Sequence, residues 1–349
     1  MPPPTHKASL LHTKPYYNSE LGSIRAVTAE QLPVLKNLSI KRLILAPSAI
    51  REPHWHANAN ELAYCLRGTV QVNILDTGNV FANFVIEAGQ MFHVESGSLH
   101  HLENIGNEEA EIIICFRHEQ PKDFALSASM GAMADSVLGN TYDHPASHWT
   151  QISRTTQPKY IVRRKGELNI LSTAYFPDPH KFDVEEMKPP VSSEVGSNRT
   201  ARNQFWPALH NMSMYSLRIE DTGMREAHWH PETAELGYVA EGAARMTIMD
   251  PDGSTDTYYL QQGDMYYVPT AYPHHIEVLG SERMHFLIFF DQPNPKDVGY
   301  RSSATAMSRE TLASTLEVEE RDLPRFPFTI KDPLIVGKLN PVDEVKSKL

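Results

Sequence analysis

Arg51-Glu52-Pro53-His54-Trp55-His56, with Glu61 five residues beyond the second histidine, occurs again as Arg225-Glu226-Ala227-His228-Trp229-His230 with Glu235. Each shared position is displaced by 174 residues. Side chains alternate across a strand, so both histidines of a His-x-His face one side and can hold a single ion between them. A carboxylate five positions on reaches the same ion if the chain bends between two strands. The sequence therefore raises a metal site first, and a duplicated one.

Outward from that stretch the offset of 174 persists without a gap. It relates His6 to His180, Lys14 to Lys188, Gly22 to Gly196, Pro33 to Pro207 and Asn37 to Asn211 on one side. On the other it relates Tyr64 to Tyr238, Gly68 to Gly242, Asp76 to Asp250, Gly89 to Gly263, His100 to His274, Phe116 to Phe290, Asp123 to Asp297 and Met133 to Met307. A register of this length means duplication, so the chain is expected to hold two domains of one design. The expected cut lies near 175, before Phe176-Pro177-Asp178-Pro179, with residues 1–175 (including an N-terminal arm) as the first domain and 176–349 as the second.

Within the first copy the apolar runs are short: 41–45, 62–66, 69–75, 80–86, 90–94 and 111–116. Arg67-Gly68, Asp76-Thr77-Gly78-Asn79 and Ala88-Gly89 punctuate them, a spacing that predicts an antiparallel sandwich or barrel. Helical periodicity is confined to segments after each barrel, 129–138 and 308–316, expected outside the sheets.

Composition narrows the classes. A chain of 349 residues with 41% hydrophobic and 21% charged content can bury a core in each of two domains. A formal net charge of −11, with Lys and Arg scattered, provides no stripe to neutralise phosphates and argues against nucleic acid. No run approaches the ~18 apolar residues of a membrane span, and Met1-Pro2-Pro3-Pro4 does not open a leader pattern. A cytoplasmic protein is expected. Cys65 and Cys115, both in apolar strand runs, read as buried free thiols and not as a disulfide framework.

The third imidazole of each site must come from afar. The candidates are His100, closing the run from Gly89, and His274, closing the run from Gly263. Three imidazoles and one carboxylate make a mixed N/O set that suits Mn, Fe, Co or Zn and fits Ca or Mg poorly. Around an octahedral ion, four such ligands leave two adjacent positions for a substrate. A lone histidine on an apolar strand is usually a core or surface residue; recurrence of all four ligand types in both halves is what changes the reading. His101 and His275 neighbour the third ligands and point the other way on a strand, and His93 is read as structural.

These residues resemble the bicupins, and most closely the oxalate decarboxylases. The cupin first motif is met by His54, His56, Glu61 and Gly68, and by His228, His230, Glu235 and Gly242. The second is met by Gly89, Gly97, His100 and Asn104, with Glu95 in place of a proline, and in the other copy by Gly263, Pro269 and His274, with Ala271 and Val278 replacing the glycine and asparagine. The resemblance implies an all-β fold of two tandem jelly-roll barrels with a few peripheral helices, one manganese ion per domain, and a homo-oligomer, trimeric or hexameric. It also implies turnover of oxalate to formate and carbon dioxide, with dioxygen as a second small molecule. By the same resemblance, Arg51 and Arg225 bind the substrate carboxylate, and a forked guanidinium suits that task. Trp55 and Trp229 face away from the ion, into a domain or subunit contact.

Two departures from the oxalate decarboxylase pattern bear on the chemistry. The family's lid string Ser-Glu-Asn-Ser, whose Glu donates the proton, is absent from Phe116-Arg117-His118-Glu119-Gln120-Pro121-Lys122-Asp123-Phe124, and a buried family Glu reads Ile288 here. Glu119, Asp123, Asp291 and Asp297 are the substitute acids that sequence offers, each also readable as a solvated loop charge. The alternatives are an oxalate oxidase or other cupin dioxygenase and, from another class, a non-catalytic binding or storage bicupin. Storage bicupins have generally lost the ligands that this chain keeps.

Overall fold

Alternating apolar positions give each half two antiparallel sheets with a common interior. The structure is a computed structural model that describes residues 5–342; Met1 to Pro4, where a leader pattern was sought, and residues 343–349 lie outside the described residues. In the first half one sheet runs Lys181–Asp183, Gln90–Val94, Glu61–Arg67, Ala110–Phe116, Ser39–Leu45, Gly22–Val27 and Tyr17–Ser19, strand beside strand. The other runs Asp123–Ala125, Ala49–His56, Leu99–Asn104, Thr69–Asp76 and Val80–Glu87, and Ile161–Arg163 also pairs with Ala49–His56. Leu43, Val72, Ile74, Phe84, Phe92 and Ile114 are among the buried side chains that fill the interior.

The second half repeats this. One sheet contains Lys7–Ser9, Asp264–Val268, Glu235–Glu241, Met284–Phe290, Ser213–Ile219, Gly196–Ala201 and Val191–Ser193. The other contains Thr255–Gln261, Ala243–Met249, His274–Leu279, Gly223–Trp229 and Val298–Gly299, with Ile335–Gly337 on Gly223–Trp229. The expected all-β architecture of two jelly-roll barrels is present, and the 174-residue register continues to the strands Ile161–Arg163 and Ile335–Gly337, which pair with Arg51 and Arg225 respectively. Cys65 and Cys115 are free and buried, and burial pushes the Cys65 thiol up to about 12. No helix among the described residues is long and apolar enough to cross a membrane.

The peripheral helices differ from expectation in one place. The segment 129–138 is not one helix but parts of two, Leu126–Ala132 and Asp135–Thr141, broken where Met133 is extended at φ −88°, ψ 141°. The Arg154 guanidinium donates to the carbonyls of Met130 and Met133, at 3.2 and 2.6 Å, and so satisfies the end of the first helix. The segment 308–316 agrees with Arg309–Thr315, which Ser308 caps by accepting from the Thr311 N–H.

The compact units do not follow one cut near 175. Of the described residues, one unit holds 5–9, 32–35 and 186–342, and the other holds Leu10–Gln31 and Lys36–Glu185. Strand pairing is the reason. Lys7–Ser9 adds to Asp264–Val268, with Ala8 opposite Met265 and Lys7 Nζ 2.7 Å from Asp264 Oδ2. Lys181–Asp183 adds likewise to Gln90–Val94. Removing residues 1–9 is expected to destabilise the unit that holds 186–342 by about 1–2 kcal/mol, the scale of losing an edge ladder and its ion pair. Amide exchange should rise along Asp264–Val268 and stay unchanged along Gln90–Val94.

Candidate metal centres

The stretch Ala49–His56 is not a regular strand, and its irregularity builds the site. Arg51 and His54 are three residues apart, which on an even strand would put them on opposite faces. Against Leu99–Asn104, however, His54 lies opposite His100 and Arg51 opposite Leu102, so one extra residue is accommodated at Glu52-Pro53. This β-bulge shifts the phase, and Arg51, His54 and His56 all become buried while Trp55 does not. Pro53 has no N–H to lose from the ladder there. The second copy repeats the shift, with His228 opposite His274 and Arg225 opposite Ile276.

The eight expected ligands come together as two sets, His54, His56, Glu61, His100 and His228, His230, Glu235, His274, each with one donor atom per residue within 4.8 Å of the others. Glu61 Oε2 stands 2.7 Å from His56 Nε2 and 3.4 Å from His100 Nε2; Glu235 Oε2 stands at the same 2.7 and 3.4 Å from His230 and His274. All eight are buried.

What holds the imidazoles is the other ring nitrogen. His54 Nδ1 donates to the Glu52 carbonyl at 2.8 Å, His100 to Ser98 at 2.9 Å, His228 to Glu226 at 2.7 Å and His274 to Tyr272 at 2.9 Å. His56 Nδ1 meets Asp123 Oδ1 at 2.7 Å, and His230 Nδ1 meets the Lys296 carbonyl at 3.2 Å and Asp297 Oδ1 at 2.9 Å. This network assigns the tautomer and turns every Nε2 toward the glutamate. The Nε2 atoms of His100, His228 and His274 and Glu61 Oε1 are buried without a hydrogen bond, which is costly unless something binds them. A divalent ion satisfies all of them, so the donor set fits one ion per barrel.

The charges agree. Burial pushes the Glu61 carboxyl up, but the neighbouring His100 and His56 imidazoles outweigh it and hold it well below the usual range. Burial, with Arg51 nearby, keeps His54 neutral, and His228 is lowered by burial and Arg225 in the same way. Burial opposes the charge on His230, yet Asp297 and Glu235 raise it to about 9.

Of the four substitute acids, Glu119 is the most exposed, and each is engaged by protein donors. Asp123 is clamped by Lys41 Nζ at 3.0 Å, Arg51 Nη2 at 3.3 Å and His56; burial raises its pKa, but Lys41 and His56 bring it far below the ordinary range. Asp297 holds Arg225 Nη2 at 2.5 Å, and its pKa falls to about 2 because Arg225 and His230 overcome burial. Glu119 accepts the Asn37 N–H, and buried Asp291 accepts the Ala234 N–H and the Thr233 hydroxyl; both are loop anchors. Pro121-Lys122-Asp123 recurs as Pro295-Lys296-Asp297, and this repeat is the sequence signal for the two supporting aspartates.

Other expectations resolve locally. Arg51 Nη1 donates to the Tyr160 carbonyl at 3.3 Å and Arg225 Nη1 to the Leu334 carbonyl at 2.9 Å. Glu52, which the bulge turns aside, accepts the N–H groups of Lys159 and Tyr160, each at 2.6 Å, and so ties down the strap that buttresses Arg51. Trp55 stacks on Phe124 at 5.5 Å and Trp229 meets Tyr300 at 6.1 Å, so both pack within their own domain. His101 accepts from Asn73 and His275 meets Glu277, away from the sites. The His93 N–H donates to the His180 carbonyl at 3.0 Å, consistent with a structural role. A cavity of about 900 Å³ in the first domain reaches Arg51, His54 and Asp123 and is walled by Tyr16, Lys41, Phe124 and Tyr160.

The cupin family profile matches residues 8–146 and 182–322, once in each half. Oxalate decarboxylase OxdC of Bacillus subtilis is 30% identical over 287 residues, covering 79% of this chain and 73% of that protein. A probable oxalate decarboxylase of Arthroderma benhamiae is 24% identical over 326 residues, 89% of this chain and 78% of that protein. The structure of the Bacillus subtilis oxalate decarboxylase at pH 4.6 superposes with a TM-score of 0.84 at 26% identity, over 95% of this chain and 87% of that one.

Asp123→Asn is expected to weaken metal binding at the first centre about 10- to 100-fold, the usual loss when a histidine ligand's outer partner is removed, and to leave the second centre unchanged. Titration against a competing chelator would show one weakened and one intact site per chain.

Proposed function

Because this chain belongs to the cupin family, with a cupin domain in each half, we propose that it is a metal-dependent enzyme of the oxalate decarboxylase type, converting oxalate to formate and carbon dioxide. His54, His56, Glu61 and His100 would hold one ion, and His228, His230, Glu235 and His274 the other. Manganese is the proposed metal, supported by the N/O donor set and by a solved structure of the Bacillus subtilis enzyme (TM-score 0.84, 26% identity) whose subject is its Mn(II) centres. Bound there, it would supply a Lewis-acidic, redox-active centre for the substrate carboxylate.

The observation that carries this reading is the arginine that the bulge turns to the ligand side in both copies. Arg51, fixed by the Tyr160 carbonyl and Asp123, presents a guanidinium at the inner end of the cavity, where it can fork to a carboxylate. Leu43, Leu102, Ile114 and Phe116 wall the innermost space beside His54, His56 and Glu61 and keep bulk water from it. Asp123, held as an anion, aims His56 and does not donate a proton.

The ionised state of Asp123 favours one rival. If no protein acid delivers a proton to the one-carbon fragment, the same scaffold would work as an oxalate oxidase, consuming dioxygen as co-substrate. A homo-oligomer and a cytoplasmic location, consistent with two buried free thiols, belong to the proposal.

Manganese-loaded protein given oxalate is expected to release one formate and one carbon dioxide per oxalate, without net consumption of dioxygen, and to lose turnover on chelation and regain it with Mn(II). Hydrogen peroxide in place of formate would establish the oxidase reading; stoichiometric oxalate binding without any product would place the chain among binding proteins.

A further inference from the structure

We propose that Lys41 determines specificity at the first centre: it holds the second carboxylate of a dianion, so that the first domain selects dicarboxylates over monocarboxylates. This rests on the carboxylate-binding reading above and names the feature that separates two otherwise matched sites.

Lys41 lies on Ser39–Leu45, and its equivalent on Ser213–Ile219, 174 residues on, is Tyr215. The two side chains occupy corresponding places. Lys41 Nζ stands 4.4 Å from the centroid of the Phe116 ring, and the Tyr215 ring lies 4.8 Å from that of Phe290, the equivalent phenylalanine. Lys41, Arg51 and His54 line both the large cavity and the small space at its inner end. A ligand reaching the ion-binding atoms from that cavity passes the ammonium.

The surrounding charges differ between the copies. In the first, Lys41 and Arg51 approach the same oxygen, Asp123 Oδ2, at 3.0 and 3.3 Å, so two fixed cations share one carboxylate. Among the described residues Lys41 donates to no other acceptor, and two of its three N–H groups remain for a ligand. In the second, Asp297 holds Arg225 and His230, burial raises the Tyr215 hydroxyl further above neutrality, and the additional cation is Arg202, which hydrogen-bonds that hydroxyl and donates to Asn294 Oδ1. The second cation of the first domain, Lys41, thus lines the innermost space beside His54, His56 and Glu61, whereas in the second domain Arg202 sits on the Tyr215 hydroxyl instead. At the first centre a dicarboxylate meets both the Arg51 guanidinium and the Lys41 ammonium, and a monocarboxylate leaves one of them unused. Burial works against the Lys41 charge, but Tyr16 and Asp123 outweigh it, and the ammonium persists at neutral pH.

A lysine that only neutralised Asp123 would affect metal retention and all carboxylates alike, which separates it from a specificity role. The test uses full-length manganese-loaded protein and measures oxalate, malonate and acetate binding by calorimetry, together with metal content, the Mn(II) resonance spectrum and formate release. Lys41→Met is expected to weaken oxalate binding about tenfold or more, the scale of one lost charge-assisted hydrogen bond, to change acetate affinity by less than about twofold, and to leave two ions per chain. Lys41→Arg, which keeps the charge, should recover most of the oxalate affinity. Equal losses for oxalate and acetate, no loss for either, or loss of metal from the Met variant would overturn the proposal. Malonate bound more tightly than oxalate, with the same Lys41→Met loss, would support Lys41 and overturn oxalate as the substrate, as would oxalate binding that depends on Lys41 but yields no formate.

Discussion

In each barrel a fully buried carboxylate must be held by positive charge, and much of the site follows from that requirement. Burying Glu61 or Glu235 without compensation would cost several kcal/mol. Three imidazole nitrogens surround each carboxylate, and every one of those imidazoles is fixed from behind by a carbonyl or an aspartate. The protein thus spends its hydrogen bonds on orientation and leaves the electron pairs facing inward unsatisfied. Such a set is unfavourable empty and well prepared for a cation, which couples ion binding to the stability of each barrel.

The β-bulge at Glu52-Pro53 serves the same purpose at the level of the backbone. On a regular strand, Arg51 would face away from His54, and its guanidinium could not share a side with the imidazoles. Inserting one residue brings Arg51 to the ligand side and sends Glu52 to the strap at 159–160, where it fastens the segment whose carbonyl steadies Arg51. Both outcomes come from a single shift in register.

The parts of this that could be read from sequence were those carried by spacing. The two-residue interval between histidines, the five-residue interval to the glutamate and the offset of 174 fixed the ligand sets and the barrels, because strand geometry translates intervals into faces. The odd interval from Arg51 to His54 was an equally local signal for the bulge, but it acquires meaning only once both are required on one side. Asp123 and Asp297 could be flagged as repeated acids, whereas their clamp on an arginine and a histidine depends on a loop returning to a distant strand. The edge strands Lys7–Ser9 and Lys181–Asp183 were invisible for a similar reason: three-residue ladders have no periodicity of their own, and only pairing reveals which barrel they complete.

Duplication also makes departures from symmetry informative. Where the copies agree, in ligands, bulge, arginine and aspartate, the shared geometry answers the shared demand of holding an ion beside an anion. Where they differ, the two sites cannot do identical work. Phe92 in the first barrel is Tyr266 in the second, and its hydroxyl donates to Glu235 Oε1 at 2.6 Å, whereas Glu61 Oε1 has no protein partner. Lys41 in the first barrel is Tyr215 in the second. One copy therefore leaves a glutamate oxygen and two ammonium hydrogens available around its centre, and the other engages the corresponding oxygen and has Arg202 on the Tyr215 hydroxyl. The free glutamate oxygen and the ammonium on the wall of the innermost space belong to the first barrel alone, so the two centres present different surroundings to an ion held by the same four residue types.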